Sequence, residues 1–247
     1  MNDGSSDGTQ QILEKEAQAF TGLHVLRTAS SRRDIRRIPA LLNLGMAEAR
    51  ARSRSGLPKF MMISGDDNWL APSYASAIVE RMEADPRLVV ASGSWLGRAG
   101  RTNQMPHGGG RFVRSAFMEA IGGEYPVAYG WEAWILYKAL QRGCRVKNFP
   151  DLRYRHLRPY SPRNLVGWGR GMFSLGFPTA FVASRFVINM LWVGRGTQSR
   201  RASVSMVAGY LSAKLNPGKL GPNLIDDRAL KVFVRRYSLA RLTRRPW

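Results

Sequence analysis

Residues 59–69 read KFMMISGDDNW, and this stretch decides the fold. Lys59 to Ser64 is a short apolar run of the kind that forms a buried parallel strand. It ends in Ser64-Gly65-Asp66-Asp67-Asn68-Trp69. Adjacent carboxylates at the C-terminal edge of a parallel strand stand where such sheets hold their ligands. Two crowded carboxylates repel unless a cation neutralises them. A hard divalent ion with oxygen ligands suits them, and the same ion can bridge a diphosphate. The competing reading is a pair of helix-capping acids ahead of Pro72.

The flanking segments extend this strand into an alternating pattern. Upstream, Gln10–Ala19 reads as a helix capped by Thr9, Leu23–Arg27 as a short strand, and Ile38 to about Arg54 as a helix with Leu41, Leu42 and Gly45 on one side. Downstream, Pro72 opens a helix to about Ala84, and Leu88–Ser92 is the next strand. The alternation predicts a parallel sheet with helices on both faces, an α/β fold. Gly93 to Gly110 is glycine-rich and irregular. Helices follow at Ser115–Ile121 and Glu132–Arg142, then strands at Arg145–Phe149 and near Leu152–Leu157.

From Pro162 the pattern changes. Glycines recur at 167, 169, 171 and 176, followed by the apolar run FPTAFVASRFVINMLWV. Phe173 to Val193 has the length of a bilayer span, but it holds Pro178, Arg185 and Asn189. Phe177, Phe181, Ile188, Leu191 and Trp192 can share one helical face. This fits an interfacial amphipathic helix better than a span, with an ordinary core helix as the alternative.

Hydrophobic content of 44% supports a real core. The lone cysteine, Cys144, excludes an internal disulfide and any cysteine-based metal cluster, which fits a reducing compartment. The start, MNDGSSDGTQ, has neither the basic region nor the apolar stretch of a signal peptide. The net charge of +21 is unevenly spread: residues 1–94 carry 12 Lys/Arg against 11 Asp/Glu, residues 95–194 carry 14 against 4, and residues 195–247 carry 12 against 2. Such a surface attracts nucleic acid, anionic lipid headgroups or phosphorylated substrates, or simply reflects arginine on solvated faces. No zinc, helix-turn-helix or RNA-binding aromatic signature accompanies the charge, so nucleic acid is the least expected partner.

Three further constellations carry chemistry. In residues 2–9, NDGSSDGT, two glycines permit a sharp turn on which Asp3, Ser5 and Asp7 sit; a plain surface turn capping the next helix reads equally well. In Gly130-Trp131-Glu132-Ala133-Trp134, a carboxylate at a helix start could accept a proton from a hydroxyl, and the tryptophan faces could carry a sugar ring. The alternative is an acid favoured by the helix macrodipole. His156, between Arg155 and Arg158, is either a metal or diphosphate ligand or a structural histidine.

Taken in order, the signals are NDGSSDGT, then Asn43-x-Gly45-x-x-x-Ala49-Arg50, then an apolar strand ending in Gly65-Asp66-Asp67, then Ile121-Gly122-Gly123, a Trp-Glu helix running into Arg142-Gly143-Cys144-Arg145-Val146, and His156. This series resembles the family-2 inverting glycosyltransferases of GT-A fold over about residues 2 to 158. The resemblance implies a Rossmann-like mixed sheet flanked by helices over residues 1–160, with a basic, helical extension over residues 161–247. It implies nucleotide contacts at Asp3, Ser5 and Asp66, and a divalent cation, Mg²⁺ or Mn²⁺, on Asp66, Asp67 and His156. Ser64 stands where the family's acidic motif has its first Asp. Glu132 matches the catalytic base, with Trp131 in place of the acid before it, and Trp131 and Trp134 would meet the acceptor. The reaction implied is a single in-line transfer from a nucleotide-diphosphate sugar to a hydroxyl of a glycan or lipid-linked saccharide.

Members of the family carry a strand, a helix and most of a second strand ahead of the NDGS turn. Here Met1 directly precedes it, so the nucleotide-binding part is expected to be incomplete. A non-catalytic glycosyltransferase-like protein is the alternative. The basic tail, with Arg200-Arg201, Arg235-Arg236 and Arg244-Arg245, adds an expected peripheral attachment to anionic lipid at the cytoplasmic face of the cell membrane.

Overall fold

The computed structural model describes residues 1–29, 36–53, 56–96, 105–158, 165–191 and 200–243. Arg54, Pro162, Trp192, Val193 and the pair Arg244-Arg245, named above, lie outside the described residues.

In chain order the elements are β1 (Asn2–Asp3), α1 (Thr9–Ala19), β2 (Arg27–Thr28), α2 (Arg37–Arg52), β3 (Phe60–Ile63), β4 (Asn68–Leu70), α3 (Tyr74–Glu83), β5 (Leu88–Trp95), β6 (Arg111–Arg114), α4 (Ser115–Ala120), α5 (Trp131–Gln141), β7 (Arg145–His156), α6 (Leu165–Ser174), α7 (Thr179–Leu191), α8 (Arg200–Leu215) and α9 (Arg228–Thr243). The result is a mixed sheet flanked by helices with a helical C-terminal extension, a GT-A-like α/β fold.

The sheet is less parallel than the alternation predicts. Its five strands run in the order β3-β6-β5-β7-β4, and only β5 and β7 are parallel neighbours. The strand the sequence reading missed, β6, lies between β3 and β5, antiparallel to both. It is four residues long with arginine at each end, so it shows neither a long apolar run nor alternation. The second missed strand, β4, pairs antiparallel with β7, Asn68 opposite His156. The two strands expected at 145–149 and 152–157 form the single β7, whose register on β5 shifts between Gly93 and Ser94. The expected Leu23–Arg27 strand contracts to β2, which pairs with β1 as a separate parallel pair.

The largest core cluster runs from the sheet into the C-terminal helices. Val90 and Val113 share it with Trp134 and Ile135 of α5, and with Leu175, Phe181, Val182, Tyr210, Leu230 and Val234. This corrects the interfacial-helix reading of 173–193. The run is broken at Gly176, where φ is 82°, and Phe177 and Phe181 pack into the core at 9% and 7% exposure. The large apolar side chains that α7 presents to solvent lie in its second half, Val187 and Leu191. No helix among the described residues is long and apolar enough to cross a membrane.

The recurring glycines explain how α6 and α8 pack. A Cβ on Gly169 would overlap the Met206 carbonyl oxygen, and one on Gly209 would overlap the Val166 carbonyl oxygen. Each helix thus approaches the other's backbone, a closeness that only glycine allows. At its other end α6 meets the sheet domain: Gly171 lies against Gly130, the residue before α5, whose φ is 90°.

Candidate functional site

The NDGS segment is a built turn. Asn2 is 2% exposed, bonds Gln10 through its amide nitrogen at 2.7 Å, and accepts the Ser5 N–H at 3.1 Å. Gly4, at φ 69°, lets the chain reverse. Asp3 accepts hydrogen bonds from Thr28 Oγ1 at 2.7 Å and from Arg37 Nε at 2.8 Å, with a further ion pair to Arg37 Nη2. Burial pushes the Asp3 carboxyl up, but the Thr28 and Arg37 bonds outweigh it and hold the group below its ordinary value. Gly4, Ser5, Arg27, Thr28 and Ala29 line an open cleft beside it.

The Asp66-Asp67 turn is held against the end of β7. The Leu157 N–H donates to the Asp67 carbonyl at 2.7 Å, and His156 Nδ1 lies 3.5 Å from Asp67 Oδ2. The His156 ring is set edge-on to Trp95 and Tyr154. Asp66 points elsewhere, pairing with Arg158 at 2.8 Å on the exposed surface. Arg158 also lowers the Asp7 carboxyl electrostatically, after the larger effect of the Thr9 hydrogen bonds. One arginine thereby links the two acidic turns.

The expected metal set therefore comes together only in part. Among the described residues no group of three or more His, Cys, Asp or Glu side chains could hold a metal ion. Asp67 and His156 do fit one: ligands about 2.1 Å from a common cation stand roughly 3.0–3.5 Å apart. The Oδ1 atom of Asn68, the next residue after Asp67, is buried without a hydrogen-bond partner among the described residues. Asp67 and His156 make a two-ligand seed that a substrate diphosphate could complete.

Glu132 lies in the first turn of α5, 44% exposed, facing the loop Gly108-Gly109-Gly110. A Cβ on Gly108 would overlap Glu132 Oε1, and one on Gly109 would stand 3.1 Å from Asn68 Oδ1. Successive glycines therefore stand between the Glu132 carboxylate and Asn68 of the Asp66-Asp67-Asn68 turn. The loop is pinned along its length. Tyr74 Oη donates to the Gly110 carbonyl at 2.9 Å and accepts the Gly93 N–H at 2.7 Å, while the His107 N–H donates to Ser92 Oγ at 2.8 Å.

Two residues of this site were not read from the sequence. Arg111, 2% exposed, donates to the carbonyls of His107, Pro106 and Glu132, and its Nη2 lies 3.5 Å from Glu132 Oε1. Its signal was an arginine after three glycines and before an apolar pair. Tyr125 stands edge-on against Trp131 and Trp134, and its hydroxyl has no hydrogen-bond partner among the described residues. Burial pushes that phenol up to about 12, Arg111 lowering it and Glu132 raising it.

The acceptor reading of Trp131 and Trp134 meets a different arrangement. Their exposures are 8% and 6%, and both rings belong to the core cluster that joins α5 to the C-terminal helices. Burial of their large apolar area, worth a few kcal/mol each, outweighs any use as an open platform.

The sequence pattern of the family described as "Glycosyl transferase family 2" matches residues 1–143. No curated protein matches the chain significantly. Among solved structures, the chain is similar to a mannosyltransferase, PcManGT from Pyrobaculum calidifontis, in complex with GDP-Man and Mn²⁺: 15% identity, TM-score 0.47, covering 96% of this chain and 74% of that one. It is also similar to GalNAc-T7 with UDP, GalNAc and Mn²⁺: 12% identity, TM-score 0.51, covering 89% of this chain and 50% of that one. The second likeness supports the fold alone.

Proposed function

Because the chain belongs to glycosyl transferase family 2, we propose that it transfers a sugar from a nucleotide-diphosphate sugar to a hydroxyl of a glycan or lipid-linked saccharide, with inversion. The observation that carries this reading is the glycine loop, which has the Glu132 carboxylate on one side and the Asp67-Asn68 turn on the other.

In this reading Glu132 is the base. It takes the proton of the acceptor hydroxyl as that oxygen attacks the anomeric carbon from the face opposite the leaving diphosphate, so one displacement inverts the centre. Arg111, bonded to the Glu132 carbonyl, fixes the start of α5 and with it the direction of the carboxylate. Asp3 and Ser5, beside the open cleft, would hold the nucleoside. Asp67 and His156 would hold a divalent cation, Mg²⁺ or Mn²⁺, with Asp66 joining on release from Arg158; when bound, the ion would offset the charge of the departing diphosphate.

Peripheral attachment to anionic lipid at the cytoplasmic face belongs to the same proposal, on a different helix from the one the sequence suggests. Along α8, Val204, Ala208, Leu211 and Leu215 are exposed at helical spacing, with Arg200, Arg201 and Lys214 at its ends. That is an apolar stripe bordered by positive charge, as an interfacial helix requires.

A second reading, a glycosyltransferase-like protein that binds no donor, is favoured by one observation: Asp3 and Asp66 are already paired with Arg37 and Arg158. Calorimetry with UDP and with GDP, each with and without Mn²⁺, separates the two. Mn²⁺-dependent binding of either nucleotide, weakened by Asp67→Ala, supports the transferase. No binding of either nucleotide sinks it.

A further inference from the structure

The glycine loop 108–110 hangs on two buried hydroxyls that belong to other elements. Tyr74 opens α3 and is 2% exposed, in the core cluster that holds Ile78, Phe112 and Tyr154. Its ring stands edge-on to Tyr154. Burial pushes its phenol up against the opposing pull of the Gly93 N–H, so the hydroxyl keeps its proton and can donate. Ser92 of β5 is fully buried and accepts the His107 N–H at 2.8 Å, at the start of the loop.

The Tyr74 hydroxyl takes the place of a rung in the sheet. β5 and β6 pair antiparallel, Val90 opposite Val113 and Ala91 opposite Phe112. Carried two residues further, that register sets Gly93 opposite Gly110. The Ser115 N–H donates to the Lys59 carbonyl, so by alternation Val113 and Arg111 bond towards β3, whereas Phe112 and Gly110 turn their polar groups towards β5. A continued ladder would bring the Gly93 N–H directly to the Gly110 carbonyl. Instead that N–H donates to Tyr74 Oη at 2.7 Å, and the hydroxyl donates to the Gly110 carbonyl at 2.9 Å. The inserted oxygen holds the start of β6 roughly 2 Å farther from β5 than a direct bond would. A phenylalanine ring would fill the same core; only the hydroxyl spans the gap.

The consequence falls on the site. A Cβ on Gly108 would overlap Glu132 Oε1, and one on Gly109 would stand 2.8 Å from the Tyr154 ring and 3.1 Å from Asn68 Oδ1. If the hydroxyl is removed, the Gly93 N–H and the Gly110 carbonyl either stay unmet or close on each other. In both cases the loop leaves its place. We propose that Tyr74 is a positioning residue for the transfer: its hydroxyl holds the glycine loop out from β5, between the Glu132 carboxylate and Asn68, and so fixes the base relative to the cation turn. This role rests on the transferase reading.

Tyr74→Phe in the full chain tests it. Ser92→Ala, which removes the hydroxyl at the other end of the loop, is the second variant. Hydrogen exchange over residues 105–113 needs no substrate. In Tyr74→Phe it should quicken about tenfold or more, with α8 unchanged. Unchanged exchange overturns the proposal. Release of nucleoside diphosphate from UDP-glucose and GDP-mannose with Mn²⁺, water standing in for the acceptor hydroxyl, reads the chemistry. Its kcat should fall about 10- to 100-fold, while the Mn²⁺-dependent affinity for UDP and GDP stays within about twofold. Faster exchange with wild-type kcat would make the hydroxyl a structural bond only and overturn the proposal. If Tyr74→Phe shows no cooperative melting transition, Ser92→Ala decides by the same two measurements. A wild type that binds neither nucleotide and releases neither removes the transferase reading and this role with it. Turnover equal in wild type and variant removes the role alone.

Discussion

Arg111 holds Glu132 chiefly by the backbone: Nη1 donates to the Glu132 carbonyl at 2.9 Å, whereas Nη2 stands 3.5 Å from Oε1. The side chain is 3% exposed and serves two further carbonyls, of His107 and Pro106. Replacing it with Met should leave three carbonyl acceptors without their donor, one buried and two partly buried, and destabilise the protein by roughly 1–3 kcal/mol. Urea unfolding measures this. A variant as stable as the wild type would show that the guanidinium contributes nothing to the loop.

Glu132→Gln keeps the shape of the side chain and removes its basicity. Transfer should fall by about 10²–10⁴ in kcat, with the affinity for nucleotide nearly unchanged, because the carboxylate acts on the acceptor. Nucleotide titration alongside single-turnover transfer separates the two effects. Retained turnover would remove Glu132 from the chemistry.

Gly209→Ala should force α8 away from the Val166 carbonyl and cost about 1–3 kcal/mol or more. Gly218→Ala, where an added Cβ meets nothing within 4 Å, serves as the control. Thermal melts of the pair should differ by several degrees; equal melting temperatures would contradict the tight α6–α8 contact.

Acid should loosen the junction of α5 with α9. Asp227 accepts from Lys138 Nζ at 2.6 Å and from the Leu230 N–H at 2.8 Å. Burial raises its carboxyl, but these two bonds prevail and hold it below its ordinary value. A carboxyl lowered by folding contributes stability in full above its unfolded value, about 4, and loses it as pH falls through the folded value. Stability should therefore drop below about pH 4, and Asp227→Asn should lower stability at pH 7 while flattening that drop. Denaturant unfolding at pH 7, 5 and 3.5 reads both.

Liposome flotation addresses the α8 stripe. Vesicles with anionic lipid should carry the protein at low salt and release it at high salt, each near-surface Arg or Lys contributing about 1 kcal/mol. Leu211→Glu should reduce flotation without unfolding the chain, since that side chain is 42% exposed. Flotation equal to the wild type would exclude this face.

The elements that the sequence made legible were those with an apolar run or a helical spacing bounded by turn residues. Helices α1, α2, α4 and α5 and strands β3 and β5 fall within a few residues of expectation. What stayed hidden depends on pairing across the chain. Arg111-Phe112-Val113-Arg114 becomes a strand because β3 and β5 offer edges on both sides, information absent from four residues. The site divides in the same way. Asp67 and His156 could be proposed separately, but their approach follows from Asn68 pairing with His156 across β4 and β7. Trp131 and Trp134 misled for a related reason: an amphiphilic ring next to a carboxylate suggests a sugar platform until both rings are found buried in the core cluster, edge-on to Tyr125.

The contact of Gly130 with Gly171 sets a limit on how this protein can be divided. The recognisable family pattern ends at residue 143, yet the backbone just ahead of Glu132 leans on a helix that begins at Leu165. Removing everything beyond the pattern would strip the cover from Trp134 and Ile135 and take away the wall behind the first turn of α5. The heritable signature is thus shorter than the cooperative folding unit. Grafting experiments that exchange segments between relatives should cut beyond α9, not at the edge of the signature.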